Sequence, residues 1–439
     1  MRLIPQFMIA APSSGSGKTT VSRGLMALLT RKGFKVQPYK CGPDYIDTKF
    51  HERVCNRPSY NLDSFFASKE HLLELYFQHA QEADICVAEG MMGLFDGYDR
   101  DNGSCSEVAR ILDLPIVLVV NAQSAAYSLA ALINGFLHFR YDVKIIGVIF
   151  NNVGSEKHER MLSFVCSELK VPCFGYIPKR SELMQQSRYL GLDFSEIKGD
   201  DALADLIEKH VDWQRILQAS MRVVPTIVMQ QQQESKAMKI WVARNDESFS
   251  FIYAEHLDLL HSMGLVTFFN PEEDQEIPLD IDLLYLPGGY PEKHAEALVE
   301  ARNTRASIKQ YIEKGGRTLA ECGGMIYLSQ GIVGDEDMYY EMAGVLPFKI
   351  SIRKQDRKLS LGYRDFDWEE QRYRGHEFHY TQFLPEEPVP PSSFKVFDAV
   401  SRPISTPIFR YKNLIASYTH LYWGETGFMN LFDYEEDLH

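Results

Sequence analysis

Residues 6–33 read QFMIAAPSSGSGKTTVSRGLMALLTRKG, and this stretch decides the fold. QFMIAA (6–11) is an apolar run of strand length. TTVSRGLMALLTRKG has helical spacing and stops on Gly33, the residue type that best tolerates the left-handed turn after a helix. Ser14, Gly15, Ser16, Gly17, Lys18, Thr19 and Thr20 lie between or at the start of the helix and are the expected nucleotide-binding residues. Glycines let backbone N–H groups turn inward on phosphate oxygens, and the helix N-terminus adds a favourable dipole. Lys18 can reach the terminal phosphates, and Thr19 can offer its hydroxyl to Mg²⁺. The strict pattern G-x-x-x-x-G-K-[ST] wants glycine where this chain has Pro12. The plain alternative is a Gly/Ser turn with no ligand.

Outward from this loop the same texture repeats. KVQPYK (35–40), DICVAEG (84–90), PIVLVVN (115–121), KIIGVIFNN (144–152) and CFGYIPK (173–179) are further candidate strands with helical patterns between them. Val- and Ile-rich runs alternating with helices predict parallel βαβ units. A polar stretch, MQQQQESKAMK (229–239), then interrupts the chain and reads as a linker over 230–237. A second α/β series follows: KIWVARN (239–245), LVTFFNP (265–271), DIDLLYLPGG (280–289), RTLAEC (317–322) and LIASYTH (414–420). The predicted fold class is therefore α/β in two domains, 1–229 and 238–439, the first a phosphate-loop parallel sheet flanked by helices.

With 439 residues, 45% hydrophobic and 24% charged, the chain has room for two globular cores. A formal charge of −14 argues against a nucleic-acid partner. No apolar run approaches the ~20 residues of a membrane span. MRLIPQFMIAAP has only Arg2 ahead of its apolar run and reads as a buried first strand, not a signal peptide. Seven cysteines without a CxxC pair fit reduced thiols and a cytoplasmic location.

Several polar groups fall at strand ends, where such sheets place their ligands. Glu89 ends the DICVAEG strand and is a metal-ligand candidate. Asp44 and Asp47 follow the second strand in CGPDYIDTKFH; turn stabilisation is their alternative, and turn or cap roles suit Asp63 and Asp96 equally. Asn151 and Asn152 end the fifth strand, where an amide can read an adenine edge or simply make a turn. In the second half, RTLAECGGMIYL reads as strand, tight turn and helix, with Cys322 at the corner. The helix N-terminus would favour a thiolate, His420 would be the base, and the Gly288–Gly289 turn could stabilise an oxyanion. A buried structural cysteine is the alternative. His376 and His379 of RGHEFHY read as structural or substrate-positioning rather than metal-binding.

Taken together, these stretches resemble the cobyrinate a,c-diamide synthase family over nearly the whole chain. The resemblance rests on APSSGSGKTT, KCGPDYID with NLDSF, AEGMMGLFDG, NNVGSEKH, SRYLGL, YLPGGYPE, AECGGMIYL, RGHEFHY and ASYTHLYW. It implies a dethiobiotin-synthetase-like, ATP-binding amidoligase domain followed by a class I glutamine amidotransferase domain. On matching positions it implies Mg-ATP at Lys18 and Thr19, with Asp47 and Glu89 near the metal. Asp44, Tyr45 and Ile46 would face the tetrapyrrole carboxylate, Cys322 would attack glutamine with His420 as base, and Gly288 and Gly289 would lie at the oxyanion site. The implied activity is diamidation of cobyrinate through acyl phosphates. The same chemistry on hydrogenobyrinate or nickel-sirohydrochlorin is the alternative, and a non-catalytic switch of the ParA/MinD kind is a more distant one. The implied partners are ATP, glutamine and the tetrapyrrole, with neither nucleic acid nor membrane; a homodimer stays open. One departure stands out: class I amidotransferases usually carry an acid two positions after the histidine, where this chain has Tyr422.

Overall fold

The computed structural model describes residues 2–179, 199–226 and 237–433. The SRYLGL motif (187–192) and, apart from Ala237, the linker expected at 230–237 lie outside them. The chain divides into two compact units, Met1–Gln230 and Gln231–His439.

In the first unit, β1 (Arg2–Ala10), β2 (Val36–Cys41), β3 (Tyr60–Leu62), β4 (Ile85–Glu89), β5 (Ile116–Asn121), β6 (Ile145–Val153) and β7 (Cys173–Pro178) form a sheet ordered β3-β2-β4-β1-β5-β6-β7. All these neighbours run parallel; β8 (Met221–Val224) adds an antiparallel partner to the start of β1. The intervening helices are α1 (Lys18–Arg31), α2 (Ile46–Cys55), α3 (Lys69–Ala80), α4 (Cys105–Ile111), α5 (Leu129–Phe139), α6 (Glu156–Leu169), α7 (Asp200–His210) and α8 (Trp213–Ala219). β3 and β8 are additions to the strands expected from sequence; three or four residues are too few to show a period.

The core joins Phe7, Ile9, Val87, Val117 and Ile149 of the strands to Val21, Leu25 and Leu28 of α1. Each such side chain contributes roughly 1.5–3 kcal/mol on full burial. Gly24 lets α7 approach α1 closely, since a Cβ there would stand 2.7 Å from Ile207 Cγ1 and 3.1 Å from the Leu203 carbonyl oxygen. α1 ends as its sequence demands, with Gly33 at φ +90° beyond the cap. The order places β1 between β4 and β5, so the loops leaving β1, β2 and β4 emerge side by side at the carboxyl edge of the sheet.

The second unit holds a six-stranded sheet. β9 (Met238–Ala243), β10 (Gly264–Phe269), β11 (Leu283–Leu286), β12 (Thr318–Glu321) and the strand Leu414–Ser417 are parallel in the order β10-β9-β11-β12-Leu414–Ser417, with Ile408–Tyr411 antiparallel at the edge. Helices α9 (Ala254–Met263), α10 (Ala295–Glu300), α11 (Arg302–Glu313) and α12 (Gly323–Leu328) belong to this unit. The strand expected over 414–420 is corrected: it ends at Ser417, and His420–Tyr422 is a separate strand in a five-stranded antiparallel sheet. The break is local. Ser417 Oγ donates to the Thr419 carbonyl and accepts from the Thr419 N–H, both at 3.0 Å, which turns the chain.

Candidate functional sites

In the first unit, Gly17 sits at φ +95° as the N-cap of α1, and Gly15 is also left-handed. Ser13–Gly15 are exposed, while Ser16 is buried with Oγ donating to the Ser13 carbonyl at 2.9 Å. Lys18 folds over the loop and donates to the carbonyls of Ser13 (3.4 Å) and Met92. Asn151 donates from Nδ2 to the Ser16 carbonyl at 3.0 Å, and a Cβ on Gly17 would stand 2.1 Å from that nitrogen. In this structure Asn151 braces the phosphate loop. Thr20 lies in the first turn of α1, half-buried.

Beneath the loop is an ionic cluster whose centre, Lys40, Glu89 and His51, is fully buried. Register aligns Ile9, Glu89 and Lys40 across three neighbouring strands. Glu89 accepts from Thr19 Oγ1 at 2.7 Å, from Ser22 Oγ, and from Lys40 Nζ at 2.9 Å, with His51 Nε2 at 2.8 Å. Lys40 also bonds Asp47 at 2.5 Å and lies 3.9 Å from Asp44. Burial alone would depress the Lys40 ammonium, but Asp47, Glu89 and Asp44 outweigh it and hold the charge on well above the usual range. Burial likewise works against the Glu89 charge, and Lys40 and His51 overcome it, so the carboxylate stays ionised.

Asp44 does what an Asp in a turn does, accepting the N–H groups of Ile46 (2.9 Å) and Asp47 (2.8 Å), with Tyr45 as the N-cap of α2. Asp63 and Asp96 fill the turn roles, accepting from Phe65 and Gly93 N–H. Lys40, Ser22 and His51 were not singled out in the sequence. Lys40 is the last residue before the CGPD loop, and His51 stands four positions after Asp47, on the same face of α2; those were the available signals.

In the second unit, Cys322 has φ +46° and ψ −102°, between β12 and α12. A β-carbon residue held there is strained, as a nucleophile elbow requires. Its N–H donates to the Ser417 carbonyl at 2.7 Å. The Gly288–Gly289 turn lies against His420 and against Gly323, the residue after Cys322. A Cβ on Gly288 would lie 2.0 Å from His420 Cε1, and a Cβ on Gly323 would lie 2.9 Å from the Gly289 nitrogen. The imidazole therefore rests on the Gly288 backbone, and the Gly289 N–H borders the elbow.

Burial, then the Glu292 charge, pushes the Cys322 thiol well above its usual range. Burial, helped by His376 and His379, lowers His420 to about 3. At neutral pH Cys322 is a thiol and His420 a neutral imidazole, the state in which a histidine can accept a proton. RGHEFHY is a strand (Gln371–His379) that pairs with His420–Tyr422, His376 opposite His420. His379 is held by Glu377 and the Thr381 carbonyl, each at 2.7 Å, and stacks on Tyr418 at 3.6 Å between centroids. Glu321, one residue before Cys322, is buried and bonded to Tyr285 and Leu421, a contact not foreseen from AECGG.

These two arrangements define a class: a nucleotide-binding unit with a cysteine-elbow amidotransferase unit. Residues 7–189 match the CobQ/CobB/MinD/ParA nucleotide binding domain, and residues 239–428 match the CobB/CobQ-like glutamine amidotransferase domain. The chain belongs to the a,c-diamide synthase family. It is 36% identical to the cobyrinate a,c-diamide synthase of Priestia megaterium, over 96% of this chain and 94% of that one. It is also 36% identical to the enzyme of that name from Caldanaerobacter subterraneus, over 98% and 96%. Identity to the hydrogenobyrinate a,c-diamide synthase of Brucella anthropi is 37%, over 94% and 98%. End-to-end similarity to synthases, with an amidotransferase unit, speaks against a stand-alone ATP switch. Among the described residues, no helix is long and apolar enough to cross a membrane.

Proposed function

We propose that this protein amidates the a and c carboxylates of cobyrinate, using ATP and the side-chain nitrogen of glutamine. The carrying observation is that one chain holds both a phosphate loop over an acidic cluster and a strained cysteine with a buried imidazole. A carboxylate resists ammonia because its carbon is a poor electrophile and its oxygen a poor leaving group. Transfer of the γ-phosphoryl from ATP to the carboxylate oxygen releases ADP and makes an acyl phosphate. Ammonia then attacks the acyl carbon, and phosphate leaves.

Residues 1–229 would be the amidoligase domain. There Ser14–Thr20 cradle the phosphates, Lys18 stabilises charge on the moving phosphoryl group, and Asn151 braces the loop or reads the base. Thr19, Asp47 and Glu89 would hold Mg²⁺; Asp47 and Glu89 already meet a cation, the Lys40 ammonium, and Thr19 bonds Glu89, so the oxygen donors suit a hard metal. When bound, Mg²⁺ supplies charge neutralisation at the phosphates. Asp44, Tyr45 and Ile46 face the tetrapyrrole in this reading.

Residues 238–439 would be the amidotransferase domain. Cys322 Sγ attacks the glutamine amide carbon while His420 takes the thiol proton and passes it to the departing ammonia. Gly288 and Gly289 receive the oxyanion, and water releases glutamate from the thioester. Free ammonia is mostly ammonium at neutral pH, which has no lone pair to attack with, so a dedicated source is needed. Seven free cysteines suit a reducing cytoplasm.

Hydrogenobyrinate is the second reading, favoured by the Brucella relative. Incubation with ATP, glutamine and each macrocycle, followed by mass spectrometry, tests both. Two carboxylate-to-carboxamide conversions are expected on cobyrinate; no conversion of either macrocycle contradicts the proposal.

A further inference from the structure

We infer that Glu321 is the positioning residue of the glutaminase, fixing His420 by anchoring the peptide that follows it, in place of the acid missing at position 422. The inference rests on the Cys322–His420 reading above. Tyr422 does not substitute for the acid, because its hydroxyl donates to Glu255 of α9 at 2.5 Å. Glu321 ends β12 and is only 2% exposed. Its Oε1 accepts the Leu421 N–H at 2.9 Å and its Oε2 accepts the Tyr285 hydroxyl at 2.7 Å. Leu421 directly follows His420.

The base segment is therefore held on two sides. On one, His420 and Tyr422 pair with His376 and Arg374 of the antiparallel sheet. On the other, the Leu421 N–H turns to Glu321, which is covalently joined to Cys322. A second tie runs from the Cys322 N–H to the Ser417 carbonyl, on the strand leading into the same segment. Glu321 thus couples nucleophile and base as one rigid piece, and Gly288 closes the imidazole face. Burial drives the Glu321 carboxyl up to about 8 despite both donors, and its carbonyl oxygen can accept the Leu421 N–H in either protonation state.

Glu321→Met keeps the volume and removes the acceptor, while Glu321→Gln keeps an acceptor oxygen for Leu421. Glutaminase kcat in Glu321→Met is expected to fall about 10²-fold, the effect of moving a reacting group by about 1 Å, with KM for glutamine unchanged. Glu321→Gln is expected to recover most of that loss. Iodoacetamide alkylation of Cys322, followed by peptide mapping, separates positioning from folding. A misplaced base slows alkylation toward the rate of His420→Ala, whereas a loosened fold exposes the thiol and speeds it. If Glu321→Met does not fold, Tyr285→Phe carries the test, with a smaller fall in kcat and KM unchanged. Wild-type kcat in a folded Met variant, or in Tyr285→Phe where it stands in, with Cys322→Ala and His420→Ala inactive, overturns the inference alone. Wild-type glutaminase in Cys322→Ala overturns the underlying reading instead.

Discussion

Three buried glutamates do three different things, and their partners decide which. Glu89 meets Lys40 and His51 and stays ionised deep in the sheet. Glu321 meets only neutral donors, so burial wins and its proton is held to about 8. Glu377 is equally enclosed, but His379 and Arg364 (2.6 Å) overcome the burial penalty and bring it down to about 2. A carboxyl lowered from its ordinary 4.5 to about 2 stabilises the fold above about pH 4.5 and loses that contribution as pH falls toward 2. The difference amounts to about 3 kcal/mol at 1.36 kcal/mol per pH unit. Urea titrations of the wild type and Glu377→Gln between pH 6 and 2 should converge at the acid end, the wild type losing more stability than the variant. Parallel curves contradict this assignment.

At the scale of elements, the β1–α1 unit was legible because each of its signals is local: an apolar run, a Gly/Ser turn with Lys18, a helical period and a terminal Gly33. The Cys322 elbow was legible for the same reason. What escaped was non-local. The separate His420–Tyr422 strand depends on a Ser417–Thr419 turn and on a partner strand some forty residues upstream, which no window of sequence contains. Lys40 and Glu321 escaped similarly, because their meaning lies in what the fold brings to them: Asp47 and Glu89 in one case, Leu421 and Tyr285 in the other. The Gly288–Gly289 turn is where two such elements meet. A methyl group on Gly288 would collide with His420 at 2.0 Å, and the turn backbone is pinned by Ser250 and Phe251 N–H bonds to the Gly288 carbonyl. Gly288→Ala is therefore expected to lower glutaminase kcat about 10²-fold by displacing the base, and to lower Tm as an overpacked core does, while the protein still folds. Unchanged kcat would show that the imidazole does not work from this position.

In the whole molecule the proposed labour is divided between two units that each carry their own core. In the proposed reaction glutamine serves only to deliver nitrogen, and the phosphate-loop unit activates the carboxylate whatever the nitrogen source. This division is what similarity to two separate domain families leads one to expect, and it makes the halves separable by mutation. The most direct test compares Cys322→Ala with Lys18→Ala, each supplied with ATP, cobyrinate and either glutamine or an ammonium salt at alkaline pH. Cys322→Ala should lose glutamine-driven diamidation and keep the ammonium-driven reaction, whereas Lys18→Ala should lose both by about 10²-fold or more. Loss of the ammonium-driven reaction in a folded Cys322→Ala, or its survival in Lys18→Ala, would contradict the account.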